Sequence, residues 1–454
     1  MPDDEFDVIV IGAGPAGEVV AGRLADNDLT VAICEQELVG GECSFYACMP
    51  SKALLRPGEL VGEVQRVPGV RLASDRVDPA AALERRDEVI HDGDDSGMLP
   101  WLEERGIELL REPARLDGER RVVAGDRELT ARKAVVIATG SAASMPPIDG
   151  LAEARPWTNR EGTTSKRVPQ SLVVIGGGPV GCELAQAWLT LGSDVALLEM
   201  ADRILAAEEP FASEEVSSAL RERRVDLRTG AEIKLVAGGE DGFHVTLANG
   251  ETLEAAELMV AAGRKPRTTD LGVESVGLEQ GAPIEVDDRM VVPGRSWLYA
   301  VGDVNGRSAL THSGKYQGRV AADVILGRDA RATSDANGPP RVTFTDPQVA
   351  AVGLTLAGAE EAGIKARAVD VTTSGNAGGS FHGRNTAGTS RLVVDEERRV
   401  LVGATFVGYQ TAELLHSATI AVTAEVTLEQ LWNSISVFPT RTEVWLRLLE
   451  EYGL

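Results

Sequence analysis

Phe6-Asp7-Val8-Ile9-Val10-Ile11-Gly12-Ala13-Gly14-Pro15-Ala16-Gly17 is the stretch on which the fold turns. Phe6 to Ile11 is a short apolar run without alternation, which reads as a parallel strand buried on both faces. The glycines follow at once, then a helical stretch to about Ala25, then a second strand, Thr30 to Cys34, closed by Glu35. Gly12 makes the tight turn, Gly14 lets the backbone approach a pyrophosphate at the helix N-terminus, and Gly17 lets helix and strand pack closely. Glu35 is placed to accept the ribose hydroxyls. A lone G-x-G-x-x-G is weak evidence, but this one has its strand, its helix and its acid at the expected distance.

The same unit occurs again. Ser171 to Ile175 is apolar, Gly176-Gly177-Gly178-Pro179-Val180-Gly181 is the turn, Cys182 to Leu191 is the helix, and Asp194 to Leu198 is the strand ending in Glu199. The step from first glycine to acid is identical in the two copies, Gly12 to Glu35 and Gly176 to Glu199. Two dinucleotide sites in one chain follow, with Gly176, Gly178, Gly181 and Glu199 the binding residues of the second.

Directly after the first unit comes Gly40-Gly41-Glu42-Cys43-Ser44-Phe45-Tyr46-Ala47-Cys48-Met49-Pro50-Ser51-Lys52. Two cysteines stand five apart at an expected helix N-terminus, with a lysine one turn beyond. Plain packing would account for two buried thiols, but not for the Gly-Gly before them or the Pro-Ser-Lys after. Half a metal site is the other alternative, yet a structural zinc needs four ligands and no other Cys or His lies near. A helix N-terminus and an ammonium both lower thiol pKa, which an exchanging dithiol requires. Cys34 and Cys182 read as small core residues. His91, His244, His312, His382 and His416 are scattered without metal-ligand spacing, and no metal is expected.

Length and composition agree with a multidomain globular protein: 454 residues, 43% hydrophobic, net charge −25. So acidic a chain argues against nucleic acid and anionic membrane surfaces, both of which attract basic patches. Met1-Pro2-Asp3-Asp4-Glu5 lacks the positive segment of a signal peptide, and no apolar run approaches a membrane span. Four cysteines exclude a disulphide scaffold and fit a cytoplasmic enzyme with one catalytic pair.

Between the two glycine units, about Leu54 to Glu112 reads as helical and charged, Ala114 to Thr130 as a short β region, and Ala134 to Ile137 as a strand entering Ala138-Thr139-Gly140-Ser141. Met145-Pro146-Pro147 breaks the chain. Leu258 to Ala262 is a strand entering Gly263-Arg264-Lys265-Pro266, and Trp297 to Val301 a strand delivering Gly302-Asp303 at its C-terminal end, where α/β sheets bind ligands. After Asn337-Gly338-Pro339-Pro340 an α+β module is expected, with strands at Val342 to Phe344, Arg367 to Thr372, Ser390 to Val394 and Leu401 to Val407.

In this order the motifs resemble those of the pyridine nucleotide-disulphide oxidoreductases, the flavoprotein family of glutathione reductase, dihydrolipoamide dehydrogenase and mercuric reductase. The resemblance covers essentially the whole chain. It implies an α/β fold of two Rossmann-like domains, 1–150 for FAD and 151–270 for NAD(P), a return segment 271–337, and a C-terminal α+β dimerisation domain, 338–454. It assigns Gly12, Gly14, Gly17, Glu35, Gly41, Ala114, Ala138, Thr139, Gly140, Gly302, Asp303, Leu310 and Thr311 to FAD, and Gly263 to the cofactor-binding set. It makes Cys48 the thiolate next to the flavin, Cys43 the thiol that meets substrate, and Lys52 a flavin neighbour paired with Glu183. It further implies a homodimer in which Glu443 helps complete the partner's site.

Three departures qualify it. The family usually reads Gly-Gly-Thr-Cys, whereas Glu42 precedes Cys43 here, and Ser44-Phe45-Tyr46-Ala47 brings aromatics between the cysteines. The C-terminal His-Pro-x-x-x-Glu appears as Phe438-Pro439-Thr440-Arg441-Thr442-Glu443, so the base is missing while its carboxylate remains. The chain ends at Leu454 with no cysteine in the tail, unlike the large thioredoxin reductases and mercuric reductases. The expectation is an NADH-linked FAD enzyme reducing the Cys43–Cys48 disulphide, a small acceptor, or both. Tyr46 or a nearby His is a substitute base, and the aromatic trio Phe45, Tyr46 and Phe438 suggests an apolar approach. Glu199 favours NADH over NADPH, with Arg203 partly offsetting it. A quinone reductase with a bystander disulphide and a non-enzymatic redox sensor are the alternatives.

Overall fold

The computed structural model describes residues 4–74, 76–239, 242–335, 338–386 and 388–454. Met1, Pro2 and Asp3 of the acidic opening, and Asn337 of the expected boundary, lie outside them. The chain forms two compact units, one of residues 1–50, 87–144 and 264–336, the other of 51–86, 145–263 and 337–454.

The first unit is built on a sheet ordered Val291–Val292, Arg295–Ala300, Arg127–Ile137, Glu5–Ile11, Val31–Cys34, Glu108–Leu110. Glu5–Ile11 lies at its centre, parallel to both neighbours, with Val10 opposite Ile33 on one side and Val136 on the other. Central parallel strands bury both faces, which explains the unbroken apolar run. The helix Pro15–Ala25 starts with Pro15 in its first turn after an extended Gly14, where a missing N–H costs nothing. Its small residues admit close neighbours: a Cβ on Gly22 would lie 2.6 Å from the Trp101 ring. Two readings need correction. The predicted helical stretch to Glu112 contains the edge strand Glu108–Leu110, too short to show periodicity. The β region holds the strands Ala114–Leu116 and Arg121–Ala124, and its end merges with the strand after it into Arg127–Ile137, which pairs antiparallel with Arg121–Ala124 and parallel with Glu5–Ile11.

The second unit holds a four-stranded parallel sheet, Asp226–Arg228, Asp194–Leu198, Ser171–Ile175, Glu257–Val260, and a three-stranded antiparallel sheet, Ile233–Gly239, Gly242–Leu247, Thr252–Ala255. Trp188, on the helix Pro179–Leu191, is fully buried and its indole N–H donates to Gly162 O at 2.9 Å. Left unpaired, that donor would cost about 1–3 kcal/mol. The C-terminal part adds a five-stranded antiparallel sheet ordered Arg341–Thr343, Gln348–Gly353, Val400–Gly408, Thr389–Asp395, Ala366–Thr372. Four of these strands match the sequence reading. The fifth, Gln348–Gly353, was missed because Val-Ala-Ala-Val is buried on both faces and carries no alternation.

Candidate active site

In the first unit the two cysteines start two different helices rather than sharing one N-terminus. Gly40 (φ +107°) and Gly41 (φ +59°) are left-handed and launch the short helix Gly41–Phe45, which carries Cys43. Tyr46 leaves helical geometry, and Cys48 then opens the helix Cys48–Arg66. A Cβ on Gly41 would lie 2.9 Å from the Gly14 Cα, so the loop before Cys43 is pressed against the first glycine turn. Both cysteines are thiols, and Cys48 Sγ lies 3.4 Å from Thr311 Oγ1. The Cys43 thiol is pushed up, first by its hydrogen bond with Cys48 and then by burial, with Thr311 and Lys315 acting the other way.

The glycine turn beside them is a cradle no side chain could share. A Cβ on Gly12 would meet Ala138 O at 2.4 Å and one on Gly17 would meet Gly12 O at 2.0 Å, while Gly14 has open space before it. Glu35 is anchored by the N–H groups of Ala13 and Glu37, each at 2.8 Å. Thr139 Oγ1 donates to Arg267 O at 2.8 Å, and Gly140 O accepts from Arg267 N at 3.0 Å. Gly302 (φ +79°) follows the strand Arg295–Ala300 and presents Asp303, whose carboxylate accepts from Ser141 Oγ at 2.5 Å. Leu310 is extended and Thr311 opens the helix Thr311–Ile325. Ala114 sits in the strand Ala114–Leu116, opposite Ala124.

In the second unit Lys52 Nζ donates to Glu183 Oε2 at 2.7 Å, and Glu183 is buried at 4% exposure. Its other oxygen accepts from Phe344 N at 2.8 Å, and the ammonium stands 4.7 Å from the Phe344 ring centre. Carboxylate and ring together fix the lysine head. The second glycine turn repeats the first: a Cβ on Gly176 would lie 2.5 Å from Ala261 O and one on Gly181 1.8 Å from Gly176 O, with Gly178 open. Glu199 accepts from Gly177 N at 2.6 Å and from Ala201 N at 2.7 Å. Gly263 is left-handed (φ +103°) with open space at its α-carbon.

Comparison with known proteins settles the kinship. Residues 6–318 match the pyridine nucleotide-disulphide oxidoreductase family, and 339–448 its dimerisation domain. The chain belongs to the pyridine nucleotide-disulphide oxidoreductases. It is 31% identical to a mercuric reductase of Staphylococcus aureus over 97% of this chain and 81% of that protein. It is 32% identical to a dihydrolipoyl dehydrogenase of Haloferax volcanii over 98% and 95%. Two solved structures share the fold at 24% identity: LpdA of Mycobacterium tuberculosis (TM-score 0.86, covering 98% of this chain and 100% of that one) and the HOCl-induced flavoprotein disulphide reductase RclA of Escherichia coli (TM-score 0.85, 98% and 99%).

The oxidoreductase is thus an FAD- and NAD(P)H-dependent enzyme, and both cradles fit dinucleotides: each has the turn that only glycine fits, an open glycine at a helix N-terminus and an anchored carboxylate. Its dimerisation domain supports a homodimer. Among the described residues no helix is long and apolar enough to cross a membrane, and no cluster of three metal-ligating side chains occurs.

Several aspects of the site differ from, or add to, the sequence reading. Phe45 is buried at 3% exposure beneath Gly40, so it packs the first unit instead of lining an approach. Phe438 is 72% exposed, and Glu443 is turned into its own chain, with Oε2 3.4 Å from Gly378 N. His382, on the loop that follows Gly378, has its pKa lowered, first by burial and then by Arg441. Lys315, which acts on Cys43, escaped notice, although it stands one helical turn beyond Thr311. Arg264 and Arg267 were also passed over, since nothing in their spacing announces that both meet Glu42, which stands near the other end of the chain.

Proposed function

We propose that the enzyme is a cytoplasmic homodimer that oxidises NADH and reduces a flat, apolar acceptor such as a quinone faster than it reduces a disulphide. Bound FAD would supply two-electron chemistry between the reduced nicotinamide and the acceptor. The chain's own part is to hold Cys43 and Cys48 as the redox pair, Cys48 the sulphur next to FAD and Cys43 the outer one. Lys52, held by Glu183, would bring to bound FAD the positive charge that the family resemblance assigns to it.

The observation that carries the acceptor reading is Phe438, an exposed phenyl ring where an exchanging dithiol needs a base. General acid–base help contributes about 10² to 10⁴ in rate, and a phenyl ring offers none. The hydrogen bond with Cys48 and burial push the Cys43 thiol up, which makes it a poorer nucleophile without such help. A quinone needs only two electrons, which NADH supplies by way of the flavin, and two protons, which solvent supplies. NADH is favoured because Arg203, the cation nearest Glu199 in sequence, donates to Glu208 O at 2.9 Å and Ala206 O at 2.7 Å, leaving Glu199 to meet a 2′-phosphate as like charge.

NADH oxidation by the purified flavoprotein, measured with naphthoquinones, dyes, lipoamide and glutathione disulphide in parallel, tests this reading. Quinone or dye turnover should exceed disulphide turnover by about tenfold or more. Comparable lipoamide and quinone rates would refute it. On two-electron reduction the protein should show a long-wavelength band that Cys48→Ser abolishes while the flavin stays bound.

A further inference from the structure

We infer that the cavity at the C-terminal end of the helix Cys48–Arg66 is a binding site for a small organic anion with an apolar body, its carboxylate or phosphate group held by Arg66, Arg71 and Arg384. The cavity measures about 380 Å³, within the range of small-molecule sites. The three arginines line it together with an apolar wall that includes Val67, Val70 and Leu72, and none of its described lining residues is acidic. In a chain of 70 acidic and 45 basic residues, three arginines around one acid-free cavity are a local reversal of charge. The backbone holds two of them side by side. Arg384 N donates to Arg66 O at 3.0 Å, and Gly383 (φ +104°) lies so close that a Cβ there would be 2.3 Å from the same oxygen.

The chain's own acids leave this charge largely unmet. Arg66 Nη1 donates to Asp346 Oδ2 at 2.8 Å, but the same oxygen accepts from Arg223 Nη2 at 2.5 Å, so one carboxylate serves two guanidinium groups. Arg66 lies over the Tyr409 ring, 4.5 Å from its centre, and its Nε and Nη2 are buried without a hydrogen-bond partner. Among the described residues the side chains of Arg71 and Arg384 make no hydrogen bond or ion pair. Glu63, on the same helix as Arg66, accepts from Gln410 Nε2 at 2.7 Å and does not line the cavity. The partial negative charge of a helix C-terminus would account for Arg66 but not for Arg71 and Arg384, which lie outside the helix. Guanidinium groups pair in forked fashion with carboxylate and phosphate, and the valine and leucine side chains gain by covering an apolar body. No residue assigned to flavin, nicotinamide or the cysteine pair lines the cavity, so the inference is independent of the quinone reading.

Calorimetric titration of the FAD-loaded, full-length protein with octyl phosphate, octanoate, inorganic phosphate and octanamide tests this. Octyl phosphate or octanoate should bind at one site per chain, about tenfold or more tighter than either inorganic phosphate or neutral octanamide, and the tighter of the two identifies the head group. Arg71→Gln and Arg384→Gln should each weaken that binding about tenfold, and Arg384→Lys by less, with FAD content and NADH oxidation by a dye at parent levels. Arg66 is left intact, because its pairing with Asp346 also supports the fold. If Arg384→Gln folds poorly, Arg71→Gln, at an exposed position, reports the same loss. Absence of saturable binding overturns the inference. So does binding that neither arginine variant weakens, which would put the anion elsewhere, in a dinucleotide cradle for example. Octanamide or inorganic phosphate binding as tightly as the octyl anions overturns it as well, since the arginines or the apolar wall would then be idle. Variants that turn monomeric in light scattering with unchanged affinity would assign the arginines to a subunit contact instead.

Discussion

Lys52 and Glu183 show how one contact ties stability to function. The carboxylate is nearly inaccessible while the lysine is partly open, so removing one partner strands a charge in a low-dielectric site. Glu183→Ala should cost about 2 kcal/mol in urea unfolding, less than for a fully buried pair, and should slow flavin reduction by NADH in stopped flow. Glu18, in the first turn of Pro15–Ala25, offers a pH signature. Burial pushes its carboxyl up to about 7, Lys315 opposing and Glu35 adding to the rise, and Oε1 is buried without a partner. The folded protein prefers the neutral acid, whereas the unfolded chain ionises near the ordinary 4.5. Stability from this group is complete below pH 4.5 and is lost as pH rises to about 7. Glu18→Gln should therefore narrow the stability difference between pH 5 and pH 8 by about 2 kcal/mol in denaturant titrations. Phe438→His restores an ionisable group, and lipoamide turnover should rise several-fold while the quinone rate stays level.

The two strand–turn–helix units are the elements on which everything else depends. Each closes over a carbonyl that leaves no room for a Cβ, Gly12 O under Gly17 and Gly176 O under Gly181. Gly17→Ala forces the first helix off its strand, and the protein should purify with little FAD by its flavin-to-protein absorbance ratio. Gly181→Ala should keep FAD but bind NADH at least tenfold more weakly in a fluorescence titration. The turn after Asp194–Leu198 has already committed its arginine to backbone carbonyls. The ratio of kcat/KM for NADH over NADPH should accordingly exceed about ten, and Glu199→Ser should lower it.

For the molecule as a whole the C-terminal part carries a cluster of exposed apolar side chains. Ile435 is 96% exposed and Val437 66%, close in sequence to Phe438, on a domain whose family match is to dimerisation. Exposed apolar residues so grouped mark an interaction surface. Light scattering should give a dimer that persists at high salt, because apolar burial is not screened as charge is. Ile435→Asp should yield monomer that retains FAD and loses NADH-dependent turnover. A fully active monomer would contradict the dimeric assignment.

Local pattern alone determined the two glycine units, their carboxylates, the cysteine pair, and the α+β character of the C-terminal part, because backbone sterics and strand periodicity are properties of neighbouring residues. It missed Glu108–Leu110 and Gln348–Gly353, whose strand character comes from the sheet that receives them. It set Phe45 at a surface, and packing under Gly40 put it inside. It matched Lys52 with Glu183 only through resemblance, since 131 residues separate them. The ion cluster of Glu42, Arg264 and Arg267 had no local sign at all. Coulomb attraction depends on distance in space, and only the folded chain brings those charges within 4 Å.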